Sequence, residues 1–270
     1  MFRWTHHPDG RWSGVIDGRR RVRLWQSDTD DSIAWEADGP DAEAALRSFL
    51  RLDDLDLPAV AAEWSEADPY FAEAWARHPG IRLLRQQPDE CFFSFLCASV
   101  APIRRISHML RGVAAECGDP MGDGFVAFPT AAQIAGSSEQ RLRELGLGFR
   151  ARRVIEAARV LTELPENHLS ALRQGATLGE AKRELLGFFG VGEKIADCVC
   201  LFSLDKDGAI PVDTHIWRMA VTRYAPELAG KALTPANYAR ATQAFHDRFG
   251  PRAGWAQQIL FYRAAVARDR

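Results

Sequence analysis

No CxxC pair occurs in this 270-residue sequence. Its five cysteines, Cys91, Cys97, Cys117, Cys198 and Cys200, leave the last seventy residues without any. Those spacings fit neither a zinc site nor a four-cysteine iron–sulfur cluster, so no metal and no cofactor is expected, and buried reduced thiols are the plain reading. No run of about eighteen apolar residues exists, which excludes a helical membrane span. Met1-Phe2-Arg3-Trp4 lacks the apolar stretch of a signal peptide, so an intracellular location is expected. A basic excess is also missing, since the formal net charge is -2. That argues against a general nucleic-acid coat protein but leaves room for a DNA enzyme, because phosphate contacts need only a local patch. Internal repeats and low-complexity linkers are absent. With 47% hydrophobic and 26% charged residues, a globular protein with a substantial core is expected, either as two domains or as one large one.

Residues 2 to 37 carry strand signals. Trp12 to Ile16 precede Asp17-Gly18, a strong hairpin turn. Val22 and Leu24 then alternate with arginines, and Ile33 and Trp35 alternate again. From Asp41 the pattern turns helical, with Ala45, Leu46, Phe49 and Leu50 on one face. Further helices are predicted over about 58–64 and 69–77. His78-Pro79-Gly80 breaks the pattern and marks a domain boundary. Beyond it, Phe92, Phe93, Phe95, Leu96 and Val100 form a very apolar helix suited to a core. Pro102 can start the next helix, with Ile103, Ile106 and Leu110 as its inner stripe. Thr130 after Phe128-Pro129 reads as an N-cap. More helices are predicted near 138–145, 150–163 and 178–188. The fold class is therefore α+β and mostly α. An antiparallel sheet with helices covers 1–80, and an all-helical region covers 81–270 with a helix-hairpin-helix at about 180–204.

That hairpin organises the rest. Gly190-Val191-Gly192 allows a sharp turn and a close approach to another surface. The helix after it presents free N–H groups at its first turn, an end that binds phosphate. Taken alone, Gly-x-Gly is more often a bare corner between helices. Ile195, Cys198, Val199 and Phe202 follow at core-facing spacing, with Lys194 one step off that stripe and Cys198 one helical turn beyond it. A cation at a helix N-terminus is electrostatically awkward, which favours a task for Lys194, and a neutral amine can attack an electrophilic carbon. Asp213, after Pro211-Val212, suits the N-cap of another helix. Held by backbone N–H groups, it could stabilise positive charge on a sugar or steer the lysine. Its plain alternative is a purely structural cap.

Together these residues resemble the helix-hairpin-helix superfamily of base-excision DNA glycosylases, and within it the eukaryotic-type 8-oxoguanine DNA glycosylase/AP lyase family. The likeness runs through Phe2-Arg3-Trp4, Trp12-Ser13-Gly14-Val15, Leu83-Leu84-Arg85-Gln86, Glu90-Cys91-Phe92-Phe93-Ser94-Phe95, the stretch from Leu145 to Arg152, the hairpin, and Gly254-Trp255-Ala256-Gln257. The resemblance implies an enzyme that flips a base out of double-stranded DNA. Lys194 matches the nucleophile at C1′ that forms a Schiff base, and Asp213 the catalytic aspartate. Cys198 and Phe261 match the two faces around the flipped purine, Gln257 the group on its Watson–Crick edge, and His215 a residue near its phosphate. Arg105 and Arg150 match arginines that read the widowed cytosine, and Phe149 stands where a tyrosine wedge fills the duplex gap. Each has a plain alternative. Gln257 and Phe261 have a spacing any helix supplies, Cys198 is on the inner stripe, and the arginines could be solvated. Double-stranded DNA with a damaged base is the implied partner, no membrane is involved, and a monomer is expected in a DNA-associated, intracellular setting.

The sequence departs from the family at three places. Val100 replaces an asparagine of the opposite-cytosine contacts, and Phe189 replaces a hairpin proline. A glycine three residues upstream of Phe-Arg-Trp, whose carbonyl distinguishes oxidised guanine, has no counterpart before Phe2; either the start lies elsewhere or another acceptor serves. Two other readings compete. An alkylated-purine glycosylase of the same fold is disfavoured by Lys194, since such members activate water. A non-catalytic hairpin module is disfavoured by Lys194 and Asp213 together.

Overall fold

A computed structural model describes residues 2–30 and 32–266. The expectation about the position before Phe2 falls outside them. Two compact units divide the chain, one comprising residues 1–49, 86–174 and 187–190, the other residues 50–85, 175–186 and 191–270.

The first unit opens with a four-stranded antiparallel sheet in chain order: β1 (Thr5–His6), β2 (Trp12–Ile16), β3 (Arg20–Gln26) and β4 (Ile33–Ala37). Asp17 and Gly18 both have positive φ, 52° and 69°, within the three-residue loop between the paired Ile16 and Arg20, and the Arg19 N–H closes the turn on the Ile16 carbonyl at 3.2 Å. The Phe-Arg-Trp motif ties this sheet to the helices. Phe2 meets Phe95 edge to face, and Arg3 donates to both oxygens of Glu90 at 2.8 and 2.9 Å. Trp4 stacks on Phe49 of α1 (Ala42–Leu50) and lies so close over Gly14 that a Cβ there would come within 2.5 Å of its ring.

Helix α4 (Pro88–Cys97) is the centre of this unit. Gln87 caps it, Pro88 starts it, and Cys91 through Cys97 are all buried, but Val100, expected in the same core helix, lies beyond the helix end and is 93% exposed. Helix α5 (Ile103–Cys117) buries Ile106, Met109, Leu110 and Val113. Ile103, expected on the inner stripe, is instead 60% exposed, because the whole first turn of α5 is exposed and burial begins only at Ile106. A short hairpin, β5 (Pro120–Gly122) with β6 (Phe125–Val126), was not anticipated. Thr130 forms a full capping box with Gln133 on α6 (Ala131–Ala135). Then follow α7 (Glu139–Leu142), a π-helical turn through Leu147, α8 (Arg150–Glu163) with the predicted bounds, and α9 (His168–Gly175).

The second unit holds α2 (Leu57–Ala67) and α3 (Pro69–Arg77), each with an aspartate N-cap and a proline in its first turn. After them come α10 (Leu178–Leu186), α11 (Glu193–Ser203), α12 (Thr214–Met219), α13 (Pro235–Phe249) and α14 (Ala253–Phe261). Trp64 and Phe71 pack against Phe249, and the Trp64 indole N–H donates to the Phe249 carbonyl at 3.0 Å. This packing groups α2 and α3 with the C-terminal helices, whereas residue 80 marks where the sequence pattern changes. No helix among the described residues is long and apolar enough to cross a membrane.

Candidate active site

Residues 187–192 join α10 to α11. Gly190 has φ +82°, a left-handed conformation, and a Cβ on it would come within 2.7 Å of the Arg153 side chain. Val191 is buried and anchors the turn. Gly192 is the extended N-cap of α11, with no side-chain cap and open space where a Cβ would be. The first-turn N–H groups of α11 are thus accessible to an acceptor from outside. Phe189, in the place of the expected proline, is half exposed under the Arg152 guanidinium at 5.0 Å.

Helix α11 then buries Ile195, Cys198, Val199 and Phe202 as its spacing predicts, and leaves Lys194 half-buried at the border. The Cys198 thiol is 2% exposed. Burial pushes its pKa up to about 12, against the opposing pull of the Lys194 ammonium, which is also its hydrogen-bond partner; the Asp197 and Asp213 carboxylates push it further up. One buried thiol therefore feels both Lys194 and Asp213.

Asp213 is the N-cap of α12, and its Oδ1 accepts from the backbone N–H groups of His215 and Ile216, both at 2.9 Å. It follows the fully buried Ile210-Pro211-Val212. Its direction is thereby fixed by the helix end below and the packed segment before it.

Helix α14 comes close to α11 because Gly254 has no side chain. A Cβ there would stand 2.5 Å from Leu201 and within 2.7 Å of the carbonyls of Asp207 and Ala209, and the Gly254 N–H donates to the Asp207 carbonyl at 2.9 Å. One turn later lies Gln257, 2% exposed, whose buried Oε1 has no hydrogen-bond partner among the described residues. Phe261, half-buried, meets the His215 ring edge to face at 6.0 Å. Lys194, Cys198, Asp213, His215, Gln257 and Phe261 thus all belong to the second unit, on α11, α12, α14 and their caps.

Arg105, Arg150 and Phe149 belong to the first unit. Arg105 is exposed, and Phe149 is 52% exposed with the Arg150 and Arg153 guanidiniums at 4.3 and 5.2 Å from its ring. Arg150 itself is buried and donates to the carbonyls of Ser99, Val100 and Leu147. Its donors brace the Ser99-Val100 loop, a role its sequence position did not reveal. Val100 is 93% exposed, with φ +51°. Burial, then neighbouring Arg105, lowers the Arg150 guanidinium from its ordinary value.

Sequence reasoning missed a buried polar cluster behind α11. Lys182 lies 2.9 Å from Asp197 and 2.7 Å from Glu193, and the Tyr238 hydroxyl is 2.6 Å from the same Asp197 oxygen. The available signal was Asp197, a carboxylate inside an otherwise apolar helical run. Among the described residues, no group of three or more His, Cys, Asp or Glu side chains gathers to hold a metal.

Comparison with known proteins gives consistent matches along the chain. Residues 1–92 match the 8-oxoguanine DNA glycosylase N-terminal domain, and residues 94–227 the HhH-GPD superfamily of base excision DNA repair proteins. The N-glycosylase/DNA lyase OGG1 of Arabidopsis thaliana is 38% identical over 271 residues, covering 96% of this chain and 73% of that protein. The N-glycosylase/DNA lyase of Saccharomyces cerevisiae is 34% identical over 245 residues, covering 80% of this chain and 65% of that protein. Among solved structures, the Clostridium acetobutylicum 8-oxoguanine glycosylase/lyase, in complex with double-stranded DNA containing cytosine opposite 8-oxoguanine, aligns with a TM-score of 0.85 at 25% identity, covering 99% of this chain and 89% of that one.

Proposed function

The chain belongs to the 8-oxoguanine DNA glycosylase family of helix-hairpin-helix base-excision enzymes, bifunctional N-glycosylases with DNA lyase activity, and we propose that Lys194 and Asp213 carry out its chemistry. The Lys194 amine attacks C1′ of the damaged nucleotide and the bond from C1′ to the base breaks. The base leaves with a proton, and the opened sugar remains as a Schiff base on the lysine. Loss of a C2′ proton then expels the 3′ phosphate, which cuts the strand 3′ to the sugar, and water releases the lysine. The Asp213 carboxylate, fixed by the α12 N–H groups, stabilises the positive charge that grows on the sugar as the base departs.

The observation that carries this reading is the Asp213 carboxylate, aimed by the His215 and Ile216 N–H groups at 2.9 Å, in the same unit as the half-buried Lys194 at the start of α11. The buried Cys198 thiol, one helical turn beyond Lys194, is influenced by the charges of both Lys194 and Asp213, which supports a nucleophile and a carboxylate acting around one apolar spot. Gln257 supports a base pocket there, since its buried Oε1 lacks a partner that the edge of a flipped purine would supply. Cys198 and Phe261 are proposed as the faces around that purine, and His215, beside Phe261, as its phosphate contact. Gly190, Val191 and Gly192 present the α11 N–H groups to a second phosphate. On the first unit, exposed Arg105 and Phe149 are proposed to meet the widowed base and the duplex gap, with Arg150 holding the Ser99-Val100 loop beside them.

The substrate proposed is double-stranded DNA containing 8-oxoguanine or a related oxidised purine, which sets an intracellular, DNA-associated location. Action as a monomer is proposed with it. Single-turnover excision from duplexes carrying 8-oxoguanine, other oxidised purines or an alkylated purine tests the lesion class. Oxidised purines are expected to be released and alkylated purines left in place; the reverse order would overturn the reading.

A further inference from the structure

Behind the Lys194 helix, the buried polar cluster makes a continuous path to the backbone that carries Asp213. Asp197 follows Lys194 by three residues on α11 and is 2% exposed. Its Oδ2 accepts a hydrogen bond from Tyr238 at 2.6 Å. The Tyr238 oxygen, on α13, in turn accepts the backbone N–H of Val212 at 3.0 Å, and Val212 is bonded directly to Asp213. The Ile210 carbonyl is 3.1 Å from the same hydroxyl. A phenol has one proton to give, and the shorter bond to the charged carboxylate takes it. Lys182 completes the cluster from α10. Its ammonium is shared between Asp197 and Glu193, and burial by itself would lower its pKa, but those two carboxylates hold it above the ordinary lysine value.

We infer that Tyr238 and Asp197 are positioning residues that set the distance and direction of the Asp213 carboxylate relative to the Lys194 amine. The link runs from Lys194 through one helical turn to Asp197, across the Tyr238 hydroxyl, to the Val212 peptide and so to Asp213. Everything between the two proposed catalytic groups is buried, short and hydrogen-bonded, so it has little freedom to adjust. The Asp213 cap fixes the carboxylate with respect to α12; the Tyr238 bridge fixes the segment entering α12 with respect to α11. Without the phenol oxygen, the Val212 N–H would be buried and unpaired, and the Asp197 oxygen would be left with Lys182 alone. The Ile210–Asp213 segment would then move to find partners. Proximity effects are steep enough that a displacement of about 1 Å changes rate by roughly 100-fold.

The inference rests on Lys194 and Asp213 being the reacting pair, so the test carries its own control. Single-turnover excision of 8-oxoguanine opposite cytosine is measured with the full chain, together with DNA dissociation constants and thermal midpoints. In Tyr238→Phe, excision is expected to fall by about tenfold or more at a temperature well below the midpoint, while the DNA dissociation constant stays within about threefold. Asp197→Ala is expected to fall similarly, and the double variant no further than the worse single one, because both break the same bridge. Asp197→Asn keeps an acceptor for Tyr238 and leaves Lys182 its Glu193 partner, so it is expected to retain excision within about threefold. If Tyr238→Phe does not fold, the contrast between Asp197→Asn and Asp197→Ala decides the matter. Rates unchanged in folded Tyr238→Phe, additive losses in the double variant, or equal losses in Asn and Ala would overturn the bridge. If the wild-type chain excises nothing, or excises equally well as Lys194→Gln, the site assignment fails instead.

Discussion

Arg150 holds the carbonyl of Val100 at 3.0 Å, while the Val100 side chain stands 93% exposed on left-handed backbone with φ +51°. A β-branched residue is poorly suited to that conformation, which asparagine tolerates well. The position therefore keeps a backbone shape made for a polar residue while presenting an apolar one.

Val100→Asn is accordingly expected to raise stability by about 1 kcal/mol through relief of backbone strain, read as a higher urea midpoint. The same change is expected to sharpen the preference for cytosine over the other three opposite bases in single-turnover excision. An unchanged preference profile would show that this position does not meet the opposite base.

The two hairpin glycines are expected to behave differently. At Gly190 an added Cβ meets both a left-handed φ of +82° and the Arg153 side chain, so Gly190→Ala should lose about 2 kcal/mol of stability. At Gly192 the backbone is extended and the space open. Gly192→Ala should fold normally but bind DNA about tenfold more weakly, because a methyl group crowds the N–H groups a phosphate approaches. Equal DNA affinity in folded Gly192→Ala would reduce the turn to a simple corner.

Capping and catalysis by Asp213 can be separated. Asparagine caps as well as aspartate, so Asp213→Asn should keep its thermal midpoint within the equivalent of about 0.5 kcal/mol. Excision should nonetheless fall by about 100-fold or more with the carboxylate charge gone. A near wild-type rate would leave Asp213 as a cap alone.

Burial pushes the Cys97, Cys198 and Cys200 thiols up to about 12, above the ordinary value of 9.0. The unfolded chain ionises them first as pH rises, so it binds fewer protons than the folded chain in that window, and stability must fall with increasing pH. Buried Tyr224 and Tyr238, also raised mainly by burial, act in the same direction at higher pH. The urea midpoint is expected to decrease steadily from pH 9 to pH 11, and native Cys198 to resist alkylation at pH 8. A rising or flat midpoint would contradict this.

Local chemistry made much of this legible in the sequence. Asp17-Gly18 fixes a hairpin whatever surrounds it, Phe92 to Leu96 have to be core although Val100, counted with them, is exposed past the helix end, and Asp213 before Thr214 and His215 caps a helix by itself. Lys194 is half-buried because it lies in the first turn of α11; every residue from Ile195 to Ser203 is buried, on all faces of the helix, so spacing alone did not set its exposure. What periodicity misses depends on partners distant in the chain. Tyr238 lies 41 residues from Asp197, and nothing in either neighbourhood announces the bond. Arg150 looks like any surface arginine until Ser99, Val100 and Leu147 turn their carbonyls toward it. Ile103 fits an inner stripe, yet it is exposed in the first turn of α5, where burial begins only at Ile106. Likewise α2 and α3 group with the C-terminal helices because Trp64 and Phe71 find Phe249.

Borohydride reduction during reaction with a duplex containing 8-oxoguanine opposite cytosine tests the central assignment most directly, since it converts a Schiff base into a stable amine link. The wild-type chain should become covalently joined to DNA through Lys194, identified by mass spectrometry of the digested adduct, and Lys194→Gln should bind the same duplex without forming the link. An adduct on another residue, or undiminished trapping in Lys194→Gln, would contradict the assignment of Lys194 as the nucleophile.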